Sequence, residues 1–290
     1  MRYALFATVL AASALILSSC EEEAPGVIFT EPEKPLLDTS YMTSSIPAVE
    51  PKRIMLFDIT GVRCNNCPKA AKAAENIVAA NPGRVQVIAL YPNTTGGPLI
   101  TPWAGTDTMA SADAEALVTA NGSISSLPTG MVDQAVFGSS RFMPFTNWAG
   151  AVTGRLSLTT PVQIDLKSNW LSAQNRGRLE VKATYATAQT NKHLIFIGIT
   201  ESDRIGIQSD QDTAGGIRYG YPHSHILRKL LTSTTGDTLS NTLVAGRVFE
   251  KHYYVTPRYN WWPDNLHAQV WIVDAVTKEV LHAEEVKLKP

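Results

Sequence analysis

Charge is sparse and balanced in this chain. It carries 25 Lys and Arg against 26 Asp and Glu, for a formal net charge of −1, and no basic run or basic–aromatic stripe occurs. Nucleic-acid binding needs a cationic face for phosphates, so it has no footing here. Beyond Cys20 no apolar run is long enough to cross a bilayer as a helix. No alternation is dense enough to argue for a membrane barrel over soluble strands. No internal repeat is present. Ser, His and Asp in triad order, a G-x-S-x-G elbow and a phosphate-cradling glycine loop are all missing. Paired carboxylates for glycoside hydrolysis cannot be picked out by spacing. Cysteine is scarce as well, with three residues in all: Cys20, Cys64 and Cys67.

What is present begins with a targeting segment over residues 1–19. Arg2 gives a positive start, and residues 4–17 form an apolar run too short for a comfortable permanent span. The run ends in Leu17-Ser18-Ser19-Cys20, which resembles a bacterial lipobox. Small residues there admit the peptidase, and the Cys20 thiol takes the lipid, which would attach the chain to a membrane. With Cys20 used, Cys64 and Cys67 remain as a self-contained pair, and an exported protein would hold that pair as a disulfide. Glu21, Glu22 and Glu23 follow as either a solvated tether or a surface-export signal of the kind seen in Bacteroidetes lipoproteins. Residues 20–52 hold Pro25, Pro32, Pro35, Pro47 and Pro51, which suits an extended tether.

Residues 52–78 carry the clearest pattern. Ile54 to Phe57 is an apolar run of strand length, suited to burial on both faces. Gly61 breaks it, and Cys64-Asn65-Asn66-Cys67-Pro68 leads into a helix whose Ala70, Ala74, Ile77 and Val78 share one face. Pro68 sits where a helix tolerates it, and residues 81–83, Asn-Pro-Gly, end it. Cys64 is therefore expected at a helix N-terminus, beside Arg63, where a thiolate is favoured.

Strand, C-x-x-C and helix resemble thioredoxin. Asp58, six residues before Cys64, matches that fold's buried carboxylate, and Leu127-Pro128-Thr129 matches its cis-proline segment. Asn65-Asn66 in place of Gly-Pro, and Arg63 in place of Trp, are departures. Further elements fit the same order: a strand over 85–90, a helix over 111–120 capped by Ser111 and ended by Asn121-Gly122, a strand over 129–137 bent at Asp133-Gln134, and a closing helix over 145–156 with Trp148, Ala149, Val152 and Leu156 on one face. Residues 92–109, with Trp103, read as either an inserted segment near the cysteines or a variable loop.

After residue 158 the texture alternates. Segments 162–166, 179–185, 194–199, 242–249, 252–256, 268–273 and 280–288 read as about seven short strands of an antiparallel β-sandwich. The expected fold is thus α/β plus all-β: a thioredoxin-like domain over 53–158 followed by a β-sandwich domain over 159–290.

Thr60-Gly61 ahead of the cysteine motif, Thr200-Glu201, His225-Ile226-Leu227-Arg228 and Trp262-Pro263-Asp264-Asn265, in that order, resemble the twenty-eight-kilodalton outer-membrane protein family of Bacteroidetes. That resemblance implies an outer-membrane location, lipid-anchored through Cys20, on the cell surface or the periplasmic face.

Two uses of Cys64 and Cys67 stay open. In exchange chemistry Cys64 would attack, Cys67 would resolve, Asp58 would relay protons and Pro128 would shape the groove. Otherwise the pair is a static bridge. His223, His225 and His252 invite a metal reading, but no third ligand is fixed, so hydrogen-bonding roles are expected and no metal or other cofactor is assigned. Trp261 and Trp262, near Tyr253, Tyr254 and Tyr259, either stack on a ligand or close one end of a core. The expected function is non-enzymatic: an anchored binding, scaffolding or adhesion module working with other envelope proteins. The alternative is an envelope thiol–disulfide oxidoreductase.

Overall fold

Alternation along one buried strand sets the layering. In the computed structural model, which describes residues 35–106 and 108–290, strand β3 (Ile54–Ile59) is buried along its whole length. The targeting segment, Cys20 and the acidic residues after it lie outside the described residues. Side chains alternate across a strand. Ile54 and Leu56 pack with Ala70, Ala74 and Ile77 of helix α1 (Cys67–Ala80) and Trp148 and Val152 of helix α3 (Trp148–Arg155). Met55, Phe57 and Ile59 pack instead with Ala114, Leu117 and Val118 of helix α2 (Ala112–Ala120). Each large side chain so buried, Ile, Leu, Val, Met or Phe, is worth roughly 1.5–3 kcal/mol.

The helix ends follow local chemistry. Asn81 Nδ2 donates to Ile77 O at 2.8 Å and closes α1. Ser111 Oγ accepts from the Ala114 N–H at 3.1 Å and opens α2. Trp148 and Val152 face inward from α3, whereas Ala149, expected on the same face, is exposed.

Strand β4 (Val85–Leu90) runs parallel to β3, and β5 (Thr129–Val132) runs antiparallel on the other side. Strand β5 ends earlier than its sequence pattern indicates, because Asp133 and Gln134 take up positive φ of 52°. Gly130 sits opposite Asp58, and a Cβ there would lie 2.4 Å from the Trp148 ring and 2.6 Å from Phe57 O, so only glycine fits.

The sheet does not stop at residue 158. Strands β9 (His193–Glu201), β12 (Ile226–Leu230), β15 (Leu266–Asp274) and β16 (Val280–Lys287) continue it in the order β16-β15-β9-β12-β4-β3-β5, with the short β13 (Asp237–Thr238) also on β9. The join is β12 beside β4, where Ile226 pairs with Ala89 in parallel and the Ala89 N–H donates to His225 O at 2.8 Å. Leu36–Pro290 accordingly form one compact unit, and the boundary expected at 158 crosses a shared sheet.

A second sheet has the order β1-β14-β8-β7, made of β1 (Asp38–Met42), β14 (Arg247–Val255), β8 (Arg176–Tyr185) and β7 (Val162–Leu171). Its Val162, Leu179, Val181 and Phe249 share one apolar cluster with Ile195, Ile197, Val270 and Ile272 of the first sheet. Trp271 turns the other way, stacked on Phe196 at 5.2 Å. The structure is thus β-rich, of mixed parallel and antiparallel pairing, with few helices.

Four differences from expectation stand out. Residues 38–42, read as tether, form edge strand β1 against β14, secured by Lys251 on Asp38 at 2.8 Å. Residues 50–51 pair as β2 (Glu50–Pro51) with β6 (Thr159–Thr160). Residues 242–249 and 252–256, read as two strands, contribute to the one strand β14. The antiparallel ribbon of β10 (Arg204–Ser209) and β11 (Ile217–His223) was not foreseen, because its alternations, Ile205 with Ile207 and Tyr219 with Tyr221, are short and each is interrupted by a glycine.

Asp133 fastens these parts. Fully buried, its Oδ2 lies 2.6 Å from both Lys52 Nζ and Arg155 Nε, and its Oδ1 accepts from the Met55 N–H at 2.8 Å. Removing one partner from a buried ion pair strands the other charge. Asp133→Asn is expected to lower the free energy of unfolding by about 3–5 kcal/mol in urea titrations; a loss under about 1 kcal/mol would show that the cluster does not hold the fold.

Candidate functional site: a covered disulfide over a polar cavity

Gly61 lets the chain turn sharply after β3. A Cβ there would lie 2.5 Å from Leu99 O, and the Arg63 N–H bonds that same carbonyl at 2.8 Å. The turn carries Cys64 to the mouth of α1, and the structure joins Cys64 to Cys67 in a disulfide with Cα atoms 5.3 Å apart. The helix itself opens at Cys67, with Asn66 as its cap, so Cys64 lies one turn ahead of it. Arg63 does not serve Cys64: its guanidinium lies over the Trp103 ring at 4.1 Å and its Nε donates to Thr101 O at 2.9 Å.

Both cysteines are 2 % exposed. The cover is the β10–β11 ribbon and the turn that follows β10. Gln208 Nε2 donates to Gly61 O at 3.1 Å and Cys64 O at 3.0 Å. The Ser209 N–H donates to Val62 O at 2.8 Å and the Gln211 N–H to Asn65 O at 3.2 Å. Lys69 of α1 pairs with Asp212 at 3.3 Å. The ribbon thus satisfies the backbone of the cysteine turn almost residue by residue.

Behind the disulfide lies a cavity of about 130 Å3, lined by Cys67, Asp58, Thr60, Tyr91, Gln208 and His223 among others. Asp58 is 3 % exposed, its Oδ1 has no hydrogen-bond partner, and burial pushes its pKa up to about 7. His223 meets the Tyr91 hydroxyl through Nδ1 at 2.9 Å, and its Nε2 has no partner. Burial, aided by the Arg228 charge, lowers its pKa to about 4, so the ring is neutral near pH 7. Burial likewise raises the Tyr91 pKa well above the ordinary phenol value. Such a set can hold and pass protons close to Cys67.

The Leu127-Pro128 bond is cis, and Thr129 just after it pairs with Ile59, so Pro128 lies at the end of the sheet from which the cysteine turn departs. The three histidines do not assemble. His252 sits in the second sheet between Arg178, at 2.9 Å, and Glu250, at 3.1 Å, away from the His223 cavity. Among the described residues no group of three His, Cys, Asp or Glu side chains is arranged to hold a metal. Trp261 is buried in the core between the two sheets, whereas Trp262 is 44 % exposed under the Arg204 guanidinium, so the neighbours do not form a joint stacking surface.

Gln208 and Tyr91 were missed by sequence reasoning, and His223 was singled out only for a metal or hydrogen-bonding role. Nothing local in the text brings a strand at 204–209 back over residues 61–65. Three separate motifs do converge: Arg228 Nε lies 2.6 Å from Glu201 Oε2, and the Trp262 N–H donates to Glu201 Oε1 at 2.9 Å.

A profile described as outer membrane protein Omp28 matches residues 116–290. The chain belongs to this family and is an outer-membrane protein. No curated protein matches it. Among solved structures, HBP35 of Porphyromonas gingivalis is similar at a TM-score of 0.59 and 17% identity, over 82% of this chain and 76% of that one. A domain of the outer membrane lipoprotein Omp28 from P. gingivalis gives 0.30 and 16%, over 45% and 90%. A protein from Agrobacterium tumefaciens gives 0.46 and 13%, over 83% and 96%. Among the described residues no helix is long and apolar enough to cross a membrane.

Asp58 generates a pH prediction. Unfolded, its carboxyl ionises near pH 4; native, near 7. Between those values the native state holds a proton the unfolded chain lacks, so the Asp58 contribution to stability falls as pH rises from about 4 to about 7 and is flat above. His223, with a lowered native pKa, acts oppositely between about 6.5 and 4. Asp58→Asn is therefore expected to be more stable than the native chain at pH 8 by a few kcal/mol, with the gain shrinking toward pH 5. Urea midpoints at the two pH values check this, and a gain that does not change with pH would refute it.

Proposed function

We propose that this chain is a lipid-anchored lipoprotein of the outer membrane whose folded body is a binding or scaffolding module of the envelope, adhesion included, rather than a catalyst. The observation that carries this reading is the covered disulfide. An exchange catalyst needs an accessible sulfur for in-line attack. Here both sulfurs belong to buried residues, and the chain's own ribbon bonds the turn that a substrate would have to approach.

On this reading the β3-α1-β4 unit with β5 and α3 is a thioredoxin-like domain recruited as a frame. The crossover runs between parallel strands, the C-x-x-C stands at the strand-to-helix corner, and a cis proline precedes β5. The two sheets that share the core from Val162 to Leu288 are a β-sandwich domain grafted onto it. Family membership and the Leu-Ser-Ser-Cys sequence support attachment through lipid on Cys20. Partners are other envelope proteins.

A second reading has one observation in its favour. Asp58 lies on the same cavity as Cys67 with a pKa of about 7, as a proton relay would require. In that case Cys64 is the nucleophile of an envelope oxidoreductase and the ribbon must lift for turnover.

Two experiments test the proposal. Under mild reductant, native protein is expected to resist maleimide labelling at Cys64 and Cys67, and Gln208→Ala is expected to speed labelling about tenfold as the cover loosens. Labelling of the native chain as fast as of unfolded chain would reject the covered-bridge reading. Cys20→Ser is expected to move the protein from the detergent phase to the aqueous phase on phase separation, and retention in the detergent phase would reject the lipid anchor.

A further inference from the structure

At its C-terminal end α2, with the start of β9 and the β15–β16 hairpin, encloses a cavity of about 190 Å3. Its walls are chiefly apolar: Leu117 from α2, Leu194 and Phe196 from β9, and Val273 from β15. An apolar cavity of roughly 150 Å3 admits benzene. This one therefore has room for an aromatic ring with a small substituent. The Phe196 ring, held by its stacking on Trp271 at 5.2 Å, gives such a ring an aromatic neighbour.

One wall offers an unused polar group. Gln134 lines the cavity and is only 4 % exposed. Its backbone is fixed, at a positive φ of 52° and with its carbonyl accepting from Arg141. Its side-chain amide has no hydrogen-bond partner among the described residues, yet it is not sealed from water as the orphaned Asp58 Oδ1 is. The amide is therefore reachable, and the cavity is the space beside it. An amide both donates and accepts, which matches a hydroxyl group. Two neighbouring polar groups are engaged, Asn121 Nδ2 on Leu117 O at 2.9 Å and Thr235 Oγ1 with Ser233 Oγ at 2.9 Å. Among the described residues no carboxylate lines the cavity, and its cation, Lys278, is exposed and donates to Ala120 O at the end of α2 at 3.3 Å. A neutral ligand is thereby favoured over an ion.

We propose that this cavity binds a small monocyclic phenol, with the ring against Leu117, Phe196 and Val273 and the hydroxyl on the Gln134 amide. Neither cysteine belongs to the cavity, so the site is independent of how the disulfide is used.

Calorimetric titration of the full chain with phenol and, separately, with toluene and with benzoate tests this. A single saturable site for phenol is expected, about tenfold tighter than for toluene, which leaves the amide unpaired. Gln134→Leu is expected to erase that preference. Ala120→Trp, at an exposed helix position on the cavity wall, is expected to fill the site and weaken phenol binding about tenfold or more. Being on the surface, it carries the test where Gln134→Leu fails to fold. No saturable binding of phenol, toluene or benzoate bound as tightly as phenol, a preference for phenol that survives in folded Gln134→Leu protein, or full phenol affinity in folded Ala120→Trp protein overturns the proposal.

Discussion

A single buried carboxylate joins the first buried strand of this chain to its last hairpin. Asp133 stands in a left-handed turn just past β5. Its N–H donates to Met55 O at 2.7 Å and its carbonyl accepts from the Val280 N–H at 2.8 Å. Its side chain takes Lys52 from the start of β3 and Arg155 from the end of α3, and Arg155 reaches on to Glu279 at 2.8 Å. An unpartnered charge in such a place would be prohibitive, so these partners must arrive together. The last β-hairpin is thereby fixed to the first buried strand, and burial lowers the Lys52 pKa even with Asp133 beside it.

A second buried pair, Glu201 with Arg228, does the corresponding work at the middle of the sheet, where β9 meets β12. Between these two knots the sheet is continuous, and the ribbon that branches from it between β9 and β12 is fixed over the cysteine turn. Covering the disulfide is thus a consequence of how the sheet is assembled. The sealed bridge is part of the architecture of a chain that belongs to an outer-membrane family.

Much of this was legible in the sequence, for local reasons. The β3 run, the α1 stripe of Ala70, Ala74 and Ile77, the Ser111 cap and the Asn81 stop each depend on neighbours a few residues away, and each appears where its text places it. Thr200-Glu201, His225 to Arg228 and Trp262 were visible as motifs, although only the folded chain shows that they form one hydrogen-bonded group. What stayed hidden depended on distant partners. Strand β1 lies in proline-flanked text and exists because β14 offers it an edge. The ribbon has only short alternations about Gly206 and Gly220, and its place is fixed by hydrogen bonds to the backbone of residues 61–65. Sequence texture changes at 158, and the sheet pairs across that point where Ile226 meets Ala89.

The reduction potential of the Cys64–Cys67 bridge in the folded protein tests the central claim most directly. If the ribbon and the shared sheet hold the disulfide as a structural part, the potential lies below about −300 mV and reduction goes with loss of the fold. A potential in the range of catalytic dithiols, about −120 to −270 mV, with both redox forms equally well folded, would contradict it.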